Sequence, residues 1–258
     1  MITLIDISAE YWRNFHGTGS AVKGYDLTLE RIDWYARENP QEVIVCCDHP
    51  VNKRKEIDPS YKAQRKPQPK DGVDSLIGCQ ERVISWGLPL VKVPGYEADD
   101  LIATLCEQAW PRDVQIIGSE KDFYCLISDT VTLIGRNGPI DIEACKRKFG
   151  VPPERMTDLL ALVGDASDNV KGCEGIGILK AQAIIEHYAT LADAVEAAKQ
   201  DSLHIKGIGE TLTKNLAAWD PESALRLVRL MRDAPISLET LLAPVDTEEA
   251  FPEEFIPF

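Results

Sequence analysis

Over the first 150 residues, short β-branched runs alternate with stretches whose apolar residues recur at helical spacing. "ITLIDI", "EVIVCC", "LPLVKV", "VQIIG" and "VTLI" read as strands. "LTLERIDWYAREN", "VDSLIGCQERVISWG" and "EADDLIATLCEQAW" read as helices. Strand, helix, strand in succession predicts right-handed crossovers and an α/β lobe, 1–150, whose mainly parallel sheet is covered by helices on both faces. From about residue 151 the strand signal stops. "PPERMTDLLALVG", "GILKAQAIIEHY", "LADAVEAAKQ", "ETLTKNLAAW" and "ESALRLVRLMRD" predict an all-helical lobe over 151–236. "KGIGET" at 206–211 echoes "EGIGIL" at 174–179, which alone is thin ground for a repeat. The stretch 237–258, acidic and with three prolines, reads as a tail with little regular structure.

Composition narrows this picture. No apolar run in the 258 residues reaches membrane-spanning length, and "MITLIDIS" has no basic region ahead of an apolar stretch, so a cytoplasmic protein is expected. Seven cysteines form no CxxC pair and mostly lie in apolar runs, which predicts reduced core thiols rather than a zinc site or disulfides. The net charge of −14 argues at first against a nucleic-acid partner. Its distribution reverses that argument: 53–70, "KRKEIDPSYKAQRKPQPK", holds seven Lys/Arg against two acids, a local +5.

Nine acids carry the candidate chemistry. Asp6, Asp48 and the pair Glu120 and Asp122 follow three strand-like runs, and in an open parallel sheet ligands bind at the carboxyl ends of strands. "YEADD" adds Glu97, Asp99 and Asp100 at the start of a helix, and "GDASDN" adds Asp165 and Asp168. The spacing of the last two predicts one face of a helical turn, where their charges repel unless a cation sits between them. Taken singly, each has a plain alternative: "EADD" as helix capping, Asp6 or Asp48 as a loop acid, Asp168 as a cap, Glu120 with Lys121 as a solvated pair. Capping does not require acids to gather at three strand ends; metal binding does. Oxygen ligands without Cys or His favour Mg²⁺ or Mn²⁺, and two such ions can clamp a scissile phosphate. His16, His49, His187 and His204 form no convincing triad with Ser or Cys.

The motifs "LIDIS", "VCCD", "RKEIDPSYKAQR", "GYEADDLI", "GSEKDFYCLI", "GDASDN" and "GIG" together resemble, in order and rough spacing over about residues 2–235, the 5′ nuclease or flap endonuclease family. That family includes the 5′ nuclease domain of bacterial DNA polymerase I and stand-alone 5′-3′ exonucleases. The resemblance implies a PIN-like α/β fold, a helix-three-turn-helix at about 170–188, and Mg²⁺-dependent hydrolysis of DNA phosphodiesters at 5′ ends or flaps during replication and repair. By that likeness Asp48, Glu97, Asp99, Asp100 and Glu120 would hold or support a first ion. Asp122, Asp165 and Asp168 would hold a second, with Asp122 between the sets and Asp6 acting through water. Family members usually carry Asp where this chain has Glu120.

The resemblance also makes 53–70 a gateway helix and helical arch. Arg54, Lys62 and Arg65 would orient phosphate, with Lys62 and Arg65 on one helical face, and Tyr61 would offer its ring to an unpaired base. A solvated basic loop is the plain alternative. Arg13 and His16 match a phosphate-contact segment loosely. Lys171, Gly172, Gly175, Gly177 and Lys180 fall on the duplex-binding hairpin, where the family also carries K⁺, and Lys180 and Leu179 depart from its usual residues. A monomer is expected. "PEEFIPF" is similar to the docking tip of bacterial single-stranded DNA-binding proteins, against the plainer reading that its rings pack on this chain. The rival functions are a family member that binds branched DNA with weak catalysis, and a PIN-type ribonuclease lacking the helical lobe. An aspartyl phosphatase is excluded because Ser8, not an acid, stands two after Asp6.

Overall fold

The computed structural model describes residues 1–243 except Asn39 and Ser119; "PEEFIPF" lies outside them. Six strands form the main sheet: β1 Ile2–Asp6, β2 Val43–Cys46, β3 Leu90–Val91, β4 Val114–Ile117, β5 Val131–Gly135 and β6 Gly138–Ile140. Their order is β3-β2-β1-β4-β5-β6, parallel except where β6 turns back antiparallel on β5. Strands β1 and β2 are buried along their whole length, which is why they read as continuous apolar runs rather than alternating ones.

The two faces carry separate apolar clusters. One contains Ile5, Tyr11, Phe15, Ile32, Val45 and Val83 under the helices Ile7–Thr18, Ala21–Glu38 and Lys70–Ser85. The other contains Leu4, Ile44, Leu101 and Ile116 and runs on through the helical lobe to Leu160's neighbours Ala161 and Leu162, then Ile184, Leu216 and Leu225. One continuous core therefore joins the Ala98–Ala109 helix to the C-terminal half.

Four expectations need correction. The segment 53–70 forms no arch helix: Arg54–Ile57 makes a single turn, and turns and extended chain follow up to Lys70. Pro59, Pro67 and Pro69 break helical hydrogen bonding there, and Lys62 has a left-handed φ of 55°. Asp165 and Asp168 lie on no helix either. They belong to a hairpin of β7 Gly164–Asp165 and β8 Val170–Lys171, closed by Asp168 N–H donating to the Asp165 carbonyl at 3.2 Å. The region after 151 thus contains strand structure. Finally, the start of the expected tail is folded: Ser237 caps a short helix, Leu238–Leu242, and Leu238 is buried.

The GIG echo is a repeat in three dimensions. Gly175 and Gly207 have φ of 79° and 88°. Ile176 N–H and Ile208 N–H each donate to a carbonyl three residues back, at 3.0 Å, and both isoleucines are buried. Gly177 and Gly209 then cap the helices Ile178–His187 and Glu210–Ala218 with the same extended backbone.

Candidate metal centre and nucleic-acid interface

The sheet order makes β2, β1 and β4 neighbours, with Asp6 level with Cys46 and Ile5 level with Ile117. Asp6, Asp48 and the 120–122 loop are thereby brought to one rim. Asp6 caps the Ile7–Thr18 helix, accepting from Ala9 N–H at 2.9 Å, and Asp48 accepts from Ala98 N–H at 2.9 Å, which ties the Ala98–Ala109 helix to the strand end. A cleft of about 370 Å³ opens there, lined by seven of the nine predicted acids: Asp6, Asp48, Glu97, Asp99, Glu120, Asp122 and Asp168. Asp165 lines a small recess behind it with Asp99, Asp122 and Asp168.

Two sets of carboxylates could each hold an ion, with one oxygen per residue within 4.8 Å of the others: Glu97, Asp99 and Asp100, and Asp122, Asp165 and Asp168. Their environments differ. Among the described residues, Asp99 Oδ1 is shut off from solvent and has no hydrogen-bond partner, a costly state for a carboxylate oxygen unless a cation meets it. The donor set is all hard oxygen, so the residues present fit Mg²⁺ or Mn²⁺.

Asp100 is different. It is fully buried, and both its oxygens are engaged: Oδ1 by Arg54 Nη2 at 2.7 Å and Met231 N–H at 2.8 Å, Oδ2 by Arg54 Nη1 at 2.7 Å and Glu97 N–H at 3.1 Å. It supports the set from behind instead of offering it lone pairs. Arg54 must be corrected with it. Only 2% exposed, Arg54 also reaches Glu97 and the carbonyls of Leu227 and Arg229, so its guanidinium is committed inside the protein and does not face phosphate. Tyr61 is likewise no platform for a base. Its ring is buried and its hydroxyl donates to Glu97 at 2.9 Å and to Asp168 at 3.2 Å.

Lys62 and Arg65 do reach the cleft, from a turn rather than a helix face. Lys62 Nζ pairs with Glu97 and stands 3.6 Å from Asp168 Oδ2, while Arg65 pairs with Asp168 Oδ1. This turn is fastened to the 166–169 turn: Lys62 N–H donates to the Asp168 carbonyl, Gln64 to those of Ala166 and Ser167, and Asn169 to that of Ser60. Nothing local marks Gln64 or Asn169 for this role, because their partners lie about a hundred residues away along the chain. Glu120 lines the cleft and pairs with Arg13, which also holds Glu10; His16 is exposed and stacks on Trp12.

Electrostatics follow from this crowding. Burial, then the neighbouring Asp48 and Glu120, pushes Asp6 well above the usual carboxylate range, and burial with Asp100 and Glu97 does the same to Asp99. Burial, aided by Asp168 and Asp165, raises Asp122 to about 6. Burial would raise Glu97 too, but Lys62 and Arg54 outweigh it and hold Glu97 below its ordinary value. At Asp165, Lys121 and Ser167 outweigh burial in the same way.

These shifts make a prediction for the metal-free protein. Carboxyls raised in the fold keep protons that the unfolded chain has released, so their contribution to stability is present at low pH and is lost as pH rises through the folded value. For Asp122 the window runs from about 4 to 6. Glu97 and Asp165 act oppositely but only below their ordinary values of 4.5 and 3.8. In chelator, Tm should therefore fall between pH 5 and pH 7, and Mg²⁺ should reverse the fall; a Tm that rises over this range in chelator would contradict the assignment.

The predicted duplex grip is built differently from its description in sequence. A Cβ on Gly172 would collide with the Leu162 carbonyl, so this glycine serves the close approach of β8 to the 162–164 chain. Gly177, by contrast, faces open space at the start of the Ile178–His187 helix, where backbone N–H groups can meet an anion. Lys171 is exposed. Lys180 turns back to donate to the Gly175 carbonyl at 3.0 Å, and Leu179, 80% exposed, occupies the tip.

Residues 1–150 match the 5′-3′ exonuclease N-terminal resolvase-like domain, and residues 151–249 match the 5′-3′ exonuclease C-terminal SAM fold. The chain belongs to the 5′-3′ exonuclease family. It is 32% identical over 251 residues to DNA polymerase I of Deinococcus radiodurans, covering 90% of this chain and 26% of that protein. To the 5′-3′ exonuclease of Aquifex aeolicus it is 37% identical over 166 residues, 62% of this chain and 57% of that one. The chain spans about a quarter of the DNA polymerase I relatives that it matches. Among solved structures, the bacteriophage T5 flap endonuclease in a pseudo-enzyme-product complex with DNA and metal ions aligns with a TM-score of 0.71 at 22% identity, covering 90% of this chain and 88% of that one. This 5′-3′ exonuclease family member therefore has the PIN-like 5′ nuclease fold followed by a SAM-like helical domain. Among the described residues no helix is long and apolar enough to cross a membrane.

Proposed function

We propose that the chain is a metal-dependent 5′-3′ exonuclease and 5′-flap endonuclease that hydrolyses DNA phosphodiesters with two divalent ions. The observation that carries this reading is the pair of carboxylate sets gathered at one cleft, one of which contains an Asp99 oxygen that is buried and without a hydrogen-bond partner among the described residues. Glu97 and Asp99, backed by Asp100 and with Asp6 and Asp48 alongside, would hold one ion; Asp122, Asp165 and Asp168 would hold the other. Bound there, Mg²⁺ would lower the pKa of a water and stabilise charge on the reacting phosphate. Lys62 and Arg65 orient that phosphate from the 60–65 turn, and the bare helix start at Gly177 holds the neighbouring duplex by its backbone, without reading sequence. T5 and Aquifex relatives named as flap endonuclease and 5′-3′ exonuclease, and the structure of the first with DNA and metal ions, support this reading.

End-labelled single strand, blunt duplex and 5′-flap DNA, each incubated with and without Mg²⁺, should yield short 5′ products only with metal and best from the flap. Cleavage in chelator, or of RNA alone, would sink it. The two grips should also separate: Lys62→Ala and Arg65→Ala lower the cleavage rate more than duplex affinity, whereas Lys180→Ala weakens duplex binding and reduces its salt slope by about 1. Both mutant classes shifting the same parameter would contradict this division.

A further inference from the structure

Lys121 stands inside the acid motif "SEKDF", yet phosphate orientation and duplex binding have no use for it. Its ammonium lies 2.8 Å from Asp165 Oδ2, at the carboxylate set expected to hold the second ion. The other oxygen of Asp165 is already committed, accepting Ser167 N–H at 2.9 Å and Ser167 Oγ–H at 2.7 Å. Oδ2 is thus the oxygen Asp165 has left for an ion, and Lys121 holds it. Lys121 also lines the cleft, with its side chain 38% exposed against 7% for Asp165. The lysine can therefore swing out into solvent, while the carboxylate stays where it is.

We propose that Lys121 is the resident counter-ion of the second metal position: its ammonium neutralises Asp165 when no ion is bound, and a divalent ion must displace it to bind. Lys121 is a positioning residue acting through Asp165. The inference rests on the two-ion reading above. It follows from charge and geometry that two cations cannot share one carboxylate oxygen at hydrogen-bonding distance without strong repulsion. The arrangement keeps Asp165 ionised and fixed in the empty protein and makes filling of the second position the harder of the two, so that this ion enters readily only where a further anion, such as substrate phosphate, offsets the displaced charge.

The test is Mn²⁺ titration by calorimetry and by electron paramagnetic resonance on the full chain and on Lys121→Met and Lys121→Arg, with Tm measured in chelator and in saturating Mn²⁺. Lys121→Met should bind the second Mn²⁺ about tenfold more tightly, the scale of one charge-assisted hydrogen bond. It should lose Tm in chelator while keeping wild-type Tm in Mn²⁺, and Lys121→Arg should restore the wild-type affinity. Unchanged or weaker second-site affinity in Lys121→Met overturns the proposal, as does an equal loss of Tm with and without metal, which is the mark of a purely structural lysine. A wild-type chain that binds no Mn²⁺ overturns the two-ion reading itself. Two-site binding that is indifferent to Lys121 overturns only this inference.

Discussion

Asp122→Asn is expected to lower the single-turnover cleavage of a 5′-flap substrate by about 10²–10³-fold or more, the scale of removing one preorganised charged group from a reacting centre. Asp122 lines both the cleft and the recess behind it, beside Asp99 of one set and Asp165 and Asp168 of the other, so its carboxylate is the place where the two sets meet. Asparagine keeps the size and removes the charge. Glu120→Gln is the instructive comparison. Glu120 lines the same cleft but shares its carboxylate with Arg13, and its other oxygen folds over Gly118, where a Cβ would collide with it. An acid placed in this way would steady a bound ion's water from outside the ligand set, and losing such a group typically costs about 10–100-fold. Glu120→Asp should retain activity with an altered Mg²⁺ requirement. A Mg²⁺ titration of cleavage rate for the three variants side by side decides the matter; Glu120→Gln as inactive as Asp122→Asn would place Glu120 among the ligands.

The five parallel strands were legible because each lies in an apolar run, and Asp6 closes β1 while Asp48 and Glu120 stand two and three residues past the ends of β2 and β4. That coincidence also exposed the site. β6 escaped notice because two of its three residues are Gly138 and Pro139, which read as a turn, and β7 and β8 are two residues each, held together by turn geometry and the close pass of Gly164 against Gly172. Tyr61 and Arg54 were misread for one reason. Beside lysines and prolines both resemble residues of an exposed basic loop, whereas their partners lie far along the chain: Glu97 at a separation of 36 and Asp168 at 107 for Tyr61, Asp100 at 46 and Leu227 at 173 for Arg54. Local pattern carries no information about such pairs. The acids were readable because each of Asp6, Asp48 and Glu120 follows a strand-like run, and the carboxyl ends of parallel strands share one rim.

Arg54→Ala is expected to destabilise the protein by about 3–5 kcal/mol, since it leaves the buried Asp100 carboxyl without its countercharge. For a chain of this size that is on the order of 10 °C in Tm. The guanidinium makes five hydrogen bonds from a 2% exposed position: two to Asp100, one to Glu97, and one each to the carbonyls of Leu227 and Arg229. It therefore clamps the Ala98–Ala109 helix, which carries the first acid set, to the end of the Pro221–Val228 helix in the other lobe. Lysine cannot reproduce this, because a single ammonium cannot fork across Asp100 while reaching two carbonyls, so Arg54→Lys should fall close to the alanine variant. The double variant Arg54→Met with Asp100→Leu removes both charges and should recover much of the lost stability, as replacing a buried ion pair with apolar residues commonly does. Thermal unfolding of the three variants separates this role from phosphate contact: a phosphate-orienting arginine would leave Tm unchanged and lower only the cleavage rate, and that outcome would return Arg54 to the substrate path.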